Sequence, residues 1–519
     1  MTTRAVRWIA IAVGATLVAV AIAASIGSRT ATLRGLVVST LSERLDSEVE
    51  LSAFSVDTFP TVTIRGDALV IRHRGRRDVP PLVSVKSFTV TGGIFDLLVR
   101  PRRFRTVTLD GLEINIPPGG LSMKRGDPQP ATTQAGVGPS PLIVERLFSR
   151  DAMLRIIPRR ADKNPKLFAI HTLEMSSLGL VQQMPFKAEL TNPIPKGSIQ
   201  TSGTFGPWQR GDPGATPLSG RYTFDDADLD TIKGIGGILD STGDFSGQLN
   251  RIEVKGETST PDFHIDISGQ PLPLNTKFEA VVDGTDGDTY LTNVSAMLHE
   301  TSITAKGAVT GTRGVKGRTV KLDVQIDEGR IEHLLKLSVK TEKPLMVGDV
   351  ALHTDFLLPP GEADVIDRLR LAGQFGLESA RFTDKGVQSK IAGMSQRARG
   401  TPDGPSGENV MSDLKGRFRL QDGVLSMSNL TFAIPGATVN LQGNYGLKSE
   451  AIAFDGTLRM QATISEAAGG GMKSVFLKLV DPLFRSRNAG AVVPIKVTGT
   501  RKDPKFGLDV GKVFNKRSP

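Results

Sequence analysis

Between Leu414 and Ile464 the chain alternates apolar and polar residues with little interruption. Leu414, Phe418 and Leu420 alternate with Lys415, Arg417 and Arg419, and Gly416 falls on the apolar side. A turn at Gln421-Asp422-Gly423 follows, then Leu430, Phe432 and Ile434 lead to a second turn at Pro435-Gly436. Ala437, Val439, Leu441, Gly443 and Tyr445 make the next apolar row. Ile452, Phe454, Leu458, Met460, Ala462 and Ile464 make the last. A period of two, broken by turn residues, predicts consecutive antiparallel strands with one apolar and one polar face. The apolar parity flips between Met427 and Leu430, which predicts a bulge at Ser428-Asn429.

The same rule covers much of the chain. Strands are expected at Val49–Val56, Val62–Ile64, Leu69–Ile71, Leu82–Val85 and Phe88–Val90. Val107 to Ile116 reads as a hairpin through Asp110-Gly111. Short strands with Gly and Asp turns recur from Leu142 to about Ile391, for example Phe245–Val254 and Val320–Ile326, and return at Val492–Val497 and Phe506–Val510. Helical spacing interrupts the pattern at Thr32–Leu45, Ile232–Leu239, Ile331–Leu337 and Met472–Phe484. Gly119–Pro141 and Arg399–Glu408 lack periodicity and read as loops. No fixed repeat period emerges.

Trp8 to Ile26 carries no charged residue. As a helix its roughly 19 residues reach about 28 Å, enough to cross a bilayer. A signal peptide cleaved near Ala21-Ile22-Ala23 is the other reading, and the length favours a retained anchor. The organisation expected is a cytoplasmic N-terminus (1–7), an anchor (8–26), a first strand region (27–118), a loop (119–141), a middle strand region (142–398), a second loop (399–410) and a C-terminal region (411–519). With one span and a large body, the body is expected outside the inner membrane.

Composition refines this picture. Apolar content of 39% suits sheets greasy on one face only. Phenylalanine dominates the aromatics, 23 against 2 Trp and 3 Tyr, which favours burial over recognition of sugars or bases. The chain has no cysteine, so disulfides, thiolate metal sites and cysteine nucleophiles are excluded. The net charge of +10 is partly local: Arg65 to Arg105 holds ten Lys/Arg against Asp67, Asp78 and Asp96. Arg100, Arg102, Arg103 and Arg105 interleave a single aromatic, Phe104, a poor nucleic-acid signature. Their closeness to the anchor makes an anionic membrane surface the better partner.

Catalytic motifs are missing. The six histidines are scattered, with no pair at metal-ligand spacing on one helix, and there is no G-x-S-x-G elbow. Gly471-Met472-Lys473-Ser474 lacks the glycine of a phosphate loop, and Gly234-Ile235-Gly236-Gly237 has Leu239 where a dinucleotide fingerprint needs glycine. Asp225, Asp226, Asp228 and Asp230 read as a solvated acidic turn. The expectation is a protein that is not an enzyme, with no catalytic residue, cofactor, metal or nucleic-acid partner.

Several stretches together resemble the AsmA-like family of envelope proteins of diderm bacteria (the AsmA, TamB and YhdP type). They are Leu41–Leu51 after the anchor, Val107–Ile116, Ser412–Phe418, Phe432–Ala437, Phe454–Leu458, Asp481–Phe484, Pro494–Thr500 and Pro504–Gly507. The resemblance implies an inner-membrane anchor holding a periplasmic antiparallel sheet curled into an elongated groove. Phospholipid acyl chains would travel along it towards the outer membrane, in support of outer-membrane biogenesis. Phe418, Leu420, Phe432, Ile434, Val439, Leu441, Phe454, Leu458 and Met460 are the candidate lining. About 25 to 30 strands at ~4.8 Å would give a rod on the order of 120–145 Å. The rival reading is a non-transporting scaffold or assembly factor for envelope proteins, with a closed core.

Overall fold

The computed structural model describes residues 47–57, 61–73, 80–93, 102–116, 142–157, 165–178, 183–207, 213–341, 343–402, 410–467, 490–501 and 503–508, with isolated residues at 34–42, 163 and 209. Trp8–Ile26, all of Gly119–Pro141, Met472–Phe484 and Arg100 lie outside these. No helix among the described residues is long and apolar enough to cross a membrane.

The described chain is mainly β, a single sheet of 26 strands. The first part holds β1 (Ser47–Glu50), β2 (Ala53–Asp57), β3 (Val62–His73), β4 (Val83–Gly92), β5 (Arg102–Asp110), β6 (Glu113–Ile116) and β7 (Leu142–Ile156). Next come β8 (Lys166–Leu178), β9 (Met184–Pro193), β10 (Lys196–Phe205), β11 (Pro217–Asp228), β12 (Ile235–Gly236), β13 (Ile238–Gln248) and β14 (Arg251–Ile265). Then follow β15 (Leu272–Val282), β16 (Thr289–Leu298), β17 (Thr301–Gly311), β18 (Arg318–Arg330), β19 (Met346–Leu358) and β20 (Arg370–Phe382). The last are β21 (Ser412–Gln421), β22 (Val424–Ile434), β23 (Ala437–Gly446), β24 (Ala451–Met460), β25 (Ala491–Thr500) and β26 (Pro504–Leu508).

Pairing follows chain order. β1 and β2 lie end to end on β3, β5 and β6 end to end between β4 and β7, and β12 and β13 end to end on β14. Three rungs thus hold two strands apiece, and the 26 strands make 23 rungs. At ~4.8 Å per step the ladder runs about 105 Å, shorter than the strand count read from sequence implies.

The sheet is mixed, not wholly antiparallel. β5 and β6 both run parallel to β7, so the chain returns to the opposite edge before β7 begins. Asp110-Gly111 therefore makes no hairpin. Gly111 (φ +60) kinks a chain that keeps its direction, and its N–H donates to Arg150 O at 3.1 Å. Ile232–Leu239 is not a helix either: β12 and the start of β13 occupy it, after one 3-10 turn at Leu229–Thr231. The bulge at Ser428-Asn429 is present, with a register break between Met427 and Leu430 and Asn429 in the left-handed region (φ +55).

Among the described residues, four helices interrupt the ladder: α1 (Ile331–Ser338), α2 (Val365–Arg368), α3 (Lys385–Ala398) and α4 (Ile464–Ala467). The α3 sequence does not alternate, and Asp384 caps it by accepting from Val387 N–H at 2.8 Å. Ile391 and Ala398 on one face of α3 pack on Ile434 and Ala437. Ile331 and Leu334 of α1 pack against Val350, Leu377 and Ala380. From β7 on, successive rungs reverse, so every second connection between rungs lies at the same edge. Both helices sit on the edge formed by the ends of β18, β20 and β22.

Burial divides the molecule. The first rungs hold a dry core of fourteen buried apolar residues, among them Ile64, Ile71, Val90 and Phe104 at 0–1% exposure, with Val38 packed against it. Beyond β13 the fully buried apolar residues concentrate near the helix-bearing edge, as with Leu272, Leu298, Ile326 and Val350. The mid-strand apolar residues Val254, Phe278, Val294, Val324, Phe418 and Phe454 stay partly exposed.

Candidate functional site

The apolar face of the sheet is continuous across strands. In β21 to β24, Phe432 lies opposite Val439, Val439 opposite Leu458, and Leu441 opposite Gly456. Phe418 faces Met427, which faces Gly443, which faces Phe454. All nine residues named from the sequence fall on this face. They do not share one environment. Ile434 is buried beneath α3, and Phe432, Leu458 and Met460 pack against the same cluster. Leu420 and Val439 are buried, whereas Phe418, Leu441 and Phe454 keep partial exposure on the open floor. The Phe375 and Phe418 rings lie tilted with centroids 6.2 Å apart.

Glycine placement keeps that floor shallow. Gly220 pairs with Phe245, Gly243 with Tyr222, and Gly256 with Phe278. A Cβ built on each of these glycines would come within 2.8 Å of a ring carbon of its partner. The rings lie down over the bare glycine backbone instead of standing into the concavity. Burial pushes the Tyr222 phenol above its ordinary range, against a 3.2 Å hydrogen bond with Ser241 Oγ, so it stays neutral. Gly256→Val is expected to force the Phe278 ring off the sheet and lower stability by about 1–3 kcal/mol, the usual result of overpacking. Thermal unfolding of the variant beside wild type would check this.

The two long edges of the sheet touch. Lys163 lies between the fifth and sixth rungs (β7 and β8), and Asp288 between the twelfth and thirteenth (β15 and β16), so their contact joins opposite edges seven rungs apart. Lys163 Nζ sits 2.7 Å from Asp288 Oδ2 and donates to Gly311 O at 2.5 Å, with side chains 6% and 2% exposed. Asp288 also accepts from Gly311 N–H at 3.0 Å and lies 3.5 Å from Arg318. Burial raises the neighbouring Asp286 carboxyl, opposed by the Asp288 N–H that it accepts at 2.9 Å. Lys233, between the ninth and tenth rungs, repeats the offset: its carbonyl accepts from Val365 N–H at 3.0 Å, and Val365 lies between the sixteenth and seventeenth. Lys233 Nζ also lies 3.4 Å from Asp364. A contact of opposite edges at constant offset means the sheet is rolled about its long axis with a screw sense.

Of the basic cluster, Arg103 and Arg105 are exposed on β5 and flank the buried Phe104, and Arg102 begins that strand. Asp228 caps the 3-10 turn through Asp230 N–H at 2.9 Å, while Asp226 occupies a bulge with φ +54. The acidic run is thus part of a turn. The histidines are less scattered than their sequence positions suggest. The His299 and His333 rings stack at 4.7 Å, bringing a β-turn and α1 together. No protein-family model, curated protein or solved structure matches the chain.

Proposed function

We propose that this chain is a membrane-anchored, non-enzymatic lipid-handling protein. Its body holds phospholipid acyl chains against the apolar face of the sheet and moves them between the inner and outer membranes. The observation that supports the reading most is the band of apolar side chains left partly exposed along the mid-strands from β14 to β24. A closed sandwich buries such residues; an apolar surface of this extent needs an occupant. Each acyl methylene sheltered there contributes about 0.8 kcal/mol, which makes a lipid tail a fitting one. In this reading Trp8–Ile26 is the anchor, the body lies in the periplasm, and Arg100, Arg102, Arg103 and Arg105 meet anionic headgroups, each near-surface charge worth about 1 kcal/mol.

The test is native mass spectrometry of the full chain purified in mild detergent. Phospholipid bound at defined stoichiometry is expected, and it should be lost from the Phe418→Asp, Phe454→Asp double variant. Both positions are partly exposed, so the variant should fold. Wild-type protein free of lipid, or a folded variant that keeps its lipid, would sink the reading. Cross-links to envelope proteins in place of lipid would favour the scaffold role.

A further inference from the structure

We propose that His299, Glu300 and His333 form a binding site for one divalent ion of the zinc class, closing a clasp between a turn of the sheet and helix α1. The donor atoms of the three side chains lie within 4.8 Å of one another. They come from two elements. His299 and Glu300 are the two-residue turn between β16 and β17, whose flanking residues Leu298 and Thr301 pair. His333 is the third residue of α1.

The supporting contacts are those a metal site needs. His299 has φ +53, and its N–H donates to Pro273 O at 2.8 Å, which ties the turn to β15. Thr301, fully buried, accepts from Arg330 N–H at 3.0 Å, just before α1 begins. The same hydroxyl lies 2.8 Å from His333 Nδ1. In the tautomer where Nδ1–H donates to Thr301 Oγ1, the Nε2 lone pair of His333 is left for an ion. An outer partner on the second ring nitrogen, fixing tautomer and ring direction, is the usual arrangement for a ligating histidine. His333 is 7% exposed and held rigidly, while His299 and Glu300 are exposed and able to turn.

Zinc bonds to imidazole nitrogen at ~2.0–2.1 Å and to carboxylate oxygen at ~2.0–2.2 Å, so tetrahedral donors stand about 3.3–3.4 Å apart. Contraction by about 1.5 Å from the widest separation is within reach of χ rotations at the two exposed residues. Two imidazoles and a carboxylate, without thiolate, suit zinc and cobalt and leave a fourth position to water. The ion would fix α1 to the sheet edge that it covers. The site is independent of what fills the groove.

The full chain, washed with chelator, is titrated with zinc by calorimetry, and the cobalt form is examined by visible absorption. One zinc per chain is expected, with stronger hydrogen-exchange protection of 331–338 on binding. His299→Asn keeps a side chain tolerant of the left-handed backbone and should weaken zinc by at least about 100-fold, beyond the 10–100-fold that losing an outer partner costs. Glu300→Gln should weaken it by about 10-fold or more on the same scale. His353→Asn, at a histidine paired with Asp323 elsewhere on the sheet, should change nothing. No saturable binding, or wild-type affinity in His299→Asn, would overturn the site.

Discussion

Lys163→Ala is expected to open the contact between the two sheet edges and to cost about 3–5 kcal/mol locally, the range for removing one partner of a buried ion pair. The Asp288 carboxylate is 2% exposed and would lose the ammonium 2.7 Å away. Arg318 at 3.5 Å and the Gly311 N–H remain, which places the effect towards the lower end. A ladder whose rungs touch mainly their neighbours need not unfold in one step, so the measurement should be local. Hydrogen exchange is expected to accelerate in 283–289 and 311–318 while β22 to β24 keep wild-type protection. Changing both partners to apolar residues should recover much of the loss, because the stranded charge is then gone. Unchanged exchange in Lys163→Ala would show that the edges are held by something else.

The second large effect contrasts two phenylalanines. Phe104 is 1% exposed within the dry N-terminal core, so Phe104→Ala should cost about 3–5 kcal/mol and leave a cavity. Phe418 is partly exposed on the open floor, so Phe418→Ala removes some burial but encloses no void. Its cost should stay near 1 kcal/mol, the centre of the range for single substitutions. Hydrogen exchange of the strands around each site, compared in the two variants, decides the matter. Equal costs would mean that the floor around Phe418 is as closed as the N-terminal core.

Local rules carried the sequence reading where neighbours along the chain decide the structure. Alternation exposed the strands of β21 to β24, the parity flip located the bulge at Asn429, and Ile331, Leu334 and Leu335 marked α1. Non-local pairing defeated the same rules. Asp110-Gly111 looks like a hairpin turn, but β4 and β7 together form a slot that β5 and β6 fill without reversal. Ile232–Leu239 has helical spacing, yet the β14 edge offers backbone partners at His264 and Ile265 that recruit it as strand. The candidate lining was legible as a face but not as a set of environments, because α3 comes from a stretch where Gly386, Gly393 and two serines dilute the helical signal. Lys163 and Asp288 are 125 residues apart, and no periodicity announces that rolling the sheet brings them together.

The dry core of β1 to β7 fills the first rungs of the ladder, the end nearest in sequence to Trp8–Ile26. If that segment is embedded in a bilayer and lipid tails are the cargo, they cannot be fed end-on from the membrane into the channel. Loading then has to occur sideways, through the line where the two edges meet, and this line is fastened by side chains and a turn amide rather than by strand pairing. Filling would resemble opening a seam, with the rungs of the wall intact throughout.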